Sequence, residues 1–269
     1  MFNLLSGEFY KWKKSKSFKV CCFLSILFIA FLYGSFWMAD QIQKGQMEQG
    51  EAGIVIETES ESVLESLSLF DVEQVVYGTA ASLITTVFVC IFVIGEYGNG
   101  AIKNMVGKGS SRNSIFLAKY VMAMIAAMVL LLISGLVTFI GGLFLFGVDR
   151  INAELIKNLC QYVGIQTLLG VAFAGIIVAI GEMSRNLGVG ISVSIGVLML
   201  AGILFNGLDL LFYKVDFRPS NYWIANLVSE CPFNHFSGDF ITRVLLACIF
   251  WIVVSLAAGM LHFKKADVK

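Results

Sequence analysis

Apolar positions in this chain do not alternate with polar ones. They gather in six long runs, 20–38, 75–95, 120–147, 160–181, 187–208 and 244–263, and no run contains a charged side chain. Each is close to or above the ~20 residues an α-helix needs to cross about 30 Å of hydrocarbon. A membrane β-barrel would instead show alternating segments of ~10 residues. The pattern predicts an all-α integral membrane protein with six transmembrane helices in a single domain over 1–269. The third run would reach about 42 Å at ~1.5 Å per residue, so it must tilt or project beyond the bilayer. Gly135, Gly141 and Gly142 could bend it or let a neighbouring helix approach.

Lysines precede the first run, as in a secretory signal. The run is longer than an h-region of about 7–15 residues, and no small-residue cleavage site follows "FWMADQIQ". It reads as a retained first helix.

Composition agrees with the pattern. Of 269 residues, 58% are hydrophobic and 14% charged, with a mean hydropathy of +0.82, whereas a soluble domain carries about 25% charged residues. The net charge is zero, but its distribution is lopsided. The segments before run one, between runs two and three, between runs four and five, and after run six hold 13 of the 19 basic residues. They hold only four acids: Glu8, Glu96, Glu182 and Asp267. Nine acids fall between Asp40 and Glu73 on the other side. The bias of Lys and Arg toward the cytoplasm then predicts that both termini are cytoplasmic.

The polar segments carry four further expectations. "MFNLLSGEFYKWKKSKSF" is amphipathic and predicts a helix lying in the interface, with Trp12 inserted and Lys13 and Lys14 facing anionic headgroups. In the acidic external segment 39–74, Ser60 or Ser62 could cap a short helix. Between runs five and six lie both prolines, Pro219 and Pro232, and between them Tyr222, Trp223, Ile224, Leu227 and Val228 at helical spacing. That predicts a short external helix dipping into the interface or bilayer before the last span. Asn206 and Asp209, near the outer end of run five, read as hydrated interfacial groups.

Chemistry is sparse. The six cysteines form no metal-ligand spacing, and His235 and His262 fall on opposite sides of the membrane. Gln166, Thr167, Ser192 and Ser194 are too scattered for an intramembrane enzyme. The stretch "GEYGNGAIKNMVGKGSSRNSIFLAK" has a Gly-Lys pair at 107–108, but a phosphate-binding loop would need glycine at 102 and a hydroxyl at 109, where Ile102 and Gly109 stand. The stretch instead reads as a short membrane-parallel element between two spans. Ile102, Met105 and Val106 lie on one side of it, and Ser110 or Ser111 starts the next helix.

This stretch resembles the signature E-x-x-x-G-[ST/A]-I/L-K…G-x-S-R-x-x-x-x-x-A-K of membrane subunits of ABC-2 type exporters. Glu96, Gly100, Ile102, Lys103, Gly109, Ser111, Arg112 and Lys119 fall at the matching places, without the proline usual before the Ser-Arg. The resemblance extends to the layout and is nearest to small peptide or bacteriocin-immunity permeases. It implies a coupling element in which Glu96, Gly100, Ile102, Lys103, Met105, Arg112 and Lys119 transmit the work of a separate ATPase. It implies as partners an ABC ATPase dimer carrying ATP and magnesium, a second identical or related permease, and membrane lipid, with no cofactor on this chain and no nucleic acid. The setting implied is the bacterial cytoplasmic membrane, and the substrate an antimicrobial peptide, toxin or other amphiphile. The alternative is a non-transporting assembly or regulatory protein. An ion-coupled carrier would need mid-membrane charges or inverted repeats.

Overall fold

The structure, a computed structural model, describes residues 2–50, 69–98, 111–146, 153–211, 218–232 and 236–265. Eight helices fill them: α1 (Phe2–Lys14), α2 (Lys16–Gly50), α3 (Leu69–Gly98), α4 (Arg112–Phe146), α5 (Ala153–Ser184), α6 (Leu187–Leu211), α7 (Ile224–Ser229) and α8 (Gly238–Lys265), with a 3-10 turn at Pro219–Tyr222. Among the described residues six helices are long and apolar enough to cross a membrane: α2 to α6 and α8. This is the all-α membrane architecture the apolar runs predict. The helices overrun the runs, because backbone hydrogen bonding continues into polar residues beyond the hydrocarbon.

Short side chains set the breaks. The Phe18 N–H donates to Ser15 Oγ at 3.2 Å, the Ser114 N–H to Ser111 Oγ at 3.3 Å, and the Phe240 N–H to Ser237 Oγ at 3.2 Å. Each serine thereby satisfies a first-turn donor that the helix cannot. Ser111 is thus the start of α4. Between α5 and α6 the chain turns on two residues. Arg185 takes a left-handed φ of 50°, ending α5 as residues in that conformation do, and the Val189 N–H donates to Asn186 Oδ1 at 3.3 Å to open α6.

The core is built on α3, α4 and α5, with α8 packed along α5 and α2 against α3 and α4. Phe88, Ala123, Ala126, Leu130, Ala172 and Ile177 are fully buried in it. Helices in lipid gain nothing from hiding apolar surface from one another, so close contact and hydrogen bonds hold them. Ser25 Oγ and Ser134 Oγ are 2.8 Å apart, and the Tyr33 hydroxyl donates to the Thr138 carbonyl at 2.7 Å. The third span does not break at its glycines: α4 is continuous, and Gly141 lets Tyr33 approach so closely that a Cβ there would lie 2.5 Å from the ring.

The end opposite Phe2 and Lys265 carries the short helix expected before the last span, and the 218–232 segment packs against the spans. Trp223, Ile224 and Leu227 are buried, with Trp223 stacked on Phe205 at 5.0 Å and edge-on to Trp251 at 5.1 Å. Its polar backbone is bonded by the spans, because Trp251 Nε1 donates to the Tyr222 carbonyl and Gln166 Nε2 to that of Val228, each at 2.9 Å. Asp209 is likewise engaged: it accepts from the Ser220 N–H at 3.1 Å and from the Ser220 hydroxyl. Inward-facing aromatics and backbone groups that need partners at membrane depth explain both. The proposed caps at Ser60 and Ser62 lie outside the described residues, as does His235.

Candidate functional site

At the end that carries Phe2 and Lys265, four helices converge on a buried cluster of charges. Glu96 and Tyr97 stand at the C-terminal end of α3, and Lys119 two turns into α4. Glu182 and Arg185 close α5, and Glu8 and Lys11 lie on the inward face of α1. The Lys119 ammonium is 2.8 Å from Glu96 Oε2, and Lys11 reaches the other Glu96 oxygen at 3.1 Å and Glu8 at 2.8 Å. Glu96 thus sits between two lysines from two other helices. On its far side Lys119 lies over the Tyr97 ring, 5.2 Å from its centroid, and Arg185 at 5.4 Å. The Tyr97 hydroxyl donates to Glu182.

Burial makes these contacts matter. Lys119 is 2% exposed and Glu182 fully buried. An isolated charge taken from water costs several kcal/mol or more, so such side chains are held only in company. Three carboxylates face three cations here, and the cluster balances. Outside the spans, burial raises the Glu8 pKa above the usual carboxylate value. The neighbouring Glu96 charge adds to this, and Lys11 partly offsets it. Burial opposes the charge on Lys11, but its bonds to Glu8 and Glu96 outweigh that and raise its pKa. The cluster ties α1, α3, α4 and α5 together at the point where the chain leaves α3 and re-enters α4.

Of the residues singled out from the sequence, Glu96 and Lys119 meet in this cluster. Lys119, being buried, acts on the ends of the connecting segment from within and has no surface to offer a partner. Arg112 lies at the rim, donating to the Lys264 carbonyl at 3.2 Å and so joining the start of α4 to the end of α8. Gly100, Ile102, Lys103 and Met105 lie outside the described residues. Lys13 and Lys14 are exposed, with Lys14 over the Tyr10 ring. Trp12 packs on Phe18, centroids 5.2 Å apart, and Phe18 packs on the core Phe88 at 5.4 Å. Glu8, Lys11, Tyr97, Glu182 and Arg185 were missed as site residues. Their signal was present in the acids, for three of the four found among the basic segments are in this cluster.

A six-span bundle with the ends of four helices joined by a buried ion network defines a multi-pass membrane protein. The model of the ABC-2 family transporter proteins matches residues 4–202, most of the chain and all of the cluster. The chain belongs to that family, as a transporter membrane subunit whose family implies partnership with an ABC ATPase. No curated protein matches it.

Proposed function

We propose that the chain is the permease subunit of an ATP-driven exporter, coupled through the 95–119 segment to an ATPase on a separate chain. Two permeases and two ATPases form the working unit. The observation that carries this reading is the Glu96–Lys119 ion pair at 2.8 Å. It bolts together the two helices that flank the segment, so a push there moves α3 and α4 as one body rather than bending either. Lys11 extends the same linkage to α1 at the membrane surface. ATP and magnesium act on the partner, and this chain supplies the path. The end that carries Phe2, Lys265 and the connecting ends of α3 to α4 and α5 to α6 has the excess of basic residues, which supports reading that side as the cytoplasm of a bacterial cell. The short connections fit an amphiphilic peptide or toxin as substrate better than a long polymer.

Co-purification from the native host in mild detergent, with mass identification of stoichiometric partners, tests this. Recovery of an ABC ATPase is expected, and a second permease distinguishes a homodimer from a heterodimer. In the reconstituted complex, Glu96→Gln should lower transport at least about tenfold while the ATPase stays bound, the signature of lost coupling at an intact interface. Isolation of the six-span protein alone, without an ATPase, would favour the non-transporting assembly reading.

A further inference from the structure

Where α3, α4, α5 and α6 meet, the bundle leaves a small cavity of about 30 Å³. Gly78, Ser82 and Thr85 line it from α3, Leu131 from α4, Gln166 from α5 and Leu198 from α6. Thr85 lies about 14 Å along the helix from Val76, where the second span begins, and so near the middle of that span. Phe173 also lines the cavity and meets Trp223 edge-on at 6.4 Å, which puts the site beside the aromatic stack. We propose that this cavity is a water site that joins α3 to α5 at mid-membrane.

Two adjacent threonines of α3 are satisfied differently. The Thr86 hydroxyl donates to the Ser82 carbonyl at 2.7 Å, one turn back on its own helix. Thr85 is buried as well, yet among the described residues its Oγ1 has no hydrogen-bond partner. A hydroxyl taken from water without a new bond is destabilising, and lipid has nothing to offer it. A buried water needs about 10–15 Å³ of space and 2–4 polar partners, so about two molecules fit here. The hydroxyls of Thr85 and Ser82, three residues apart on α3, supply one side of the site. Gln166 supplies the other. Its amide nitrogen donates to the Tyr162 hydroxyl at 3.2 Å and to the Val228 carbonyl at 2.9 Å, which leaves its carbonyl oxygen to accept from a water.

Size and charge select water. A peptide or lipid is far too large for this volume. A monovalent cation would meet hydroxyl and carbonyl oxygens, but among the described residues no carboxylate lines the cavity to offset its charge. A bridging water is nearly as good as a direct hydrogen bond and can re-aim its own bonds. With it, α3, the span that ends in Glu96, can shift against α5 without stranding the Thr85 hydroxyl.

The test is brief X-ray radiolysis of the full chain in nanodiscs, which makes hydroxyl radicals wherever water sits, with oxidised side chains mapped by mass spectrometry. Phe173 lines the cavity, whereas Phe88 and Phe116 are buried elsewhere in the same core. Phe173 should be oxidised at least about tenfold faster than either, because the radical forms beside it. Thr85→Val keeps the shape and removes the hydroxyl. It should cut Phe173 oxidation at least about fivefold and lower the Tm by about 2–4 °C, the effect of one lost hydrogen bond in a chain of this size. Thr85→Ser should keep both near the natural values. A Cβ at Gly78 meets nothing within 4 Å, so Gly78→Ala displaces water without a clash. It serves as the second variant if Thr85→Val fails to fold, and it should likewise lower Phe173 oxidation. Phe173 oxidised no faster than Phe88, or at a rate indifferent to both variants, would overturn the proposal. So would a Tm that rises in Thr85→Val, the sign of a dry cavity relieved of an unpaired hydroxyl. Oxidation that changes when sodium or potassium is replaced by N-methylglucamine would overturn it too, by showing a cation in the site.

Discussion

The two ends of this bundle are closed by opposite means. At one, Glu8, Lys11, Glu96, Lys119, Tyr97, Glu182 and Arg185 form a buried ionic cluster linking four helices. At the other, Trp223, Phe205, Trp251 and Phe173 form an aromatic stack under a folded-back segment. Aromatic packing is short-ranged and nearly indifferent to charge state, so it fixes a shape. Ion pairs in a low-dielectric site are costly to separate and specific in partner, so they register the position of one helix against another. A transporter needs registration where force enters. If the proposed ATPase acts on the 95–119 segment, the stiff, addressable linkage lies at the end where it acts and the passive plug at the other.

The largest break is Lys119→Met. It leaves Glu96 at the membrane boundary with only the more exposed Lys11, and breaking one partner of a buried pair costs about 3–5 kcal/mol. Thermal unfolding in nanodiscs should show that loss. The double variant Glu96→Gln/Lys119→Met should recover most of it, because a neutral pair strands no charge. If the double variant is as unstable as the single, the cluster is held by packing and the contrast between the ends collapses.

Trp223→Ala comes next, at about 3 kcal/mol from the cavity it opens under Phe205 and Trp251. Trp223→Phe should lose about 1 kcal/mol or less, since Nε1 of Trp223 makes no hydrogen bond here. A large loss with Phe would mean that the plug is held by a polar contact and resembles the other end after all.

How much of this was legible in the sequence follows the range of the contacts. Spans announce themselves locally, through twenty-odd apolar residues in a row, and so did the start of α4 at Ser111. Glu96 and Lys119 were legible because they flank one short segment. Glu8 and Glu182 were not, because distant contacts bring them in: Glu8 joins through Lys11, which meets Glu96 85 positions on, and Glu182 through Tyr97, 85 positions back. The packing of Trp223 was not legible for the reverse reason. Its helical apolar spacing is the same whether the face meets lipid or protein, and only the inward-turned Phe205 and Trp251 decide it.

The smallest effect concerns Glu8, and it sharpens the comparison by adding pH. Lys11, Glu96 and Lys119 face this carboxyl from its own helix, α3 and α4. Its folded pKa is raised, first by burial and then by Glu96. A raised carboxyl pKa means that the ionised form is disfavoured in the native state. The cost is therefore full above the folded pKa and fades as pH falls toward the unfolded value of 4.5. Glu8→Gln imitates the protonated form, so it should be slightly more stable than the natural chain at pH 8, by no more than about 4 °C in Tm. The two should converge as pH approaches 4.5. Trp223→Phe should leave the pH dependence unaltered, since no titrating group of the cluster touches the aromatic stack. A variant that is less stable at pH 8 would mean that the Lys11 bond outweighs the burial of Glu8. The latch from α1 to Glu96 would then draw its strength from the carboxylate itself.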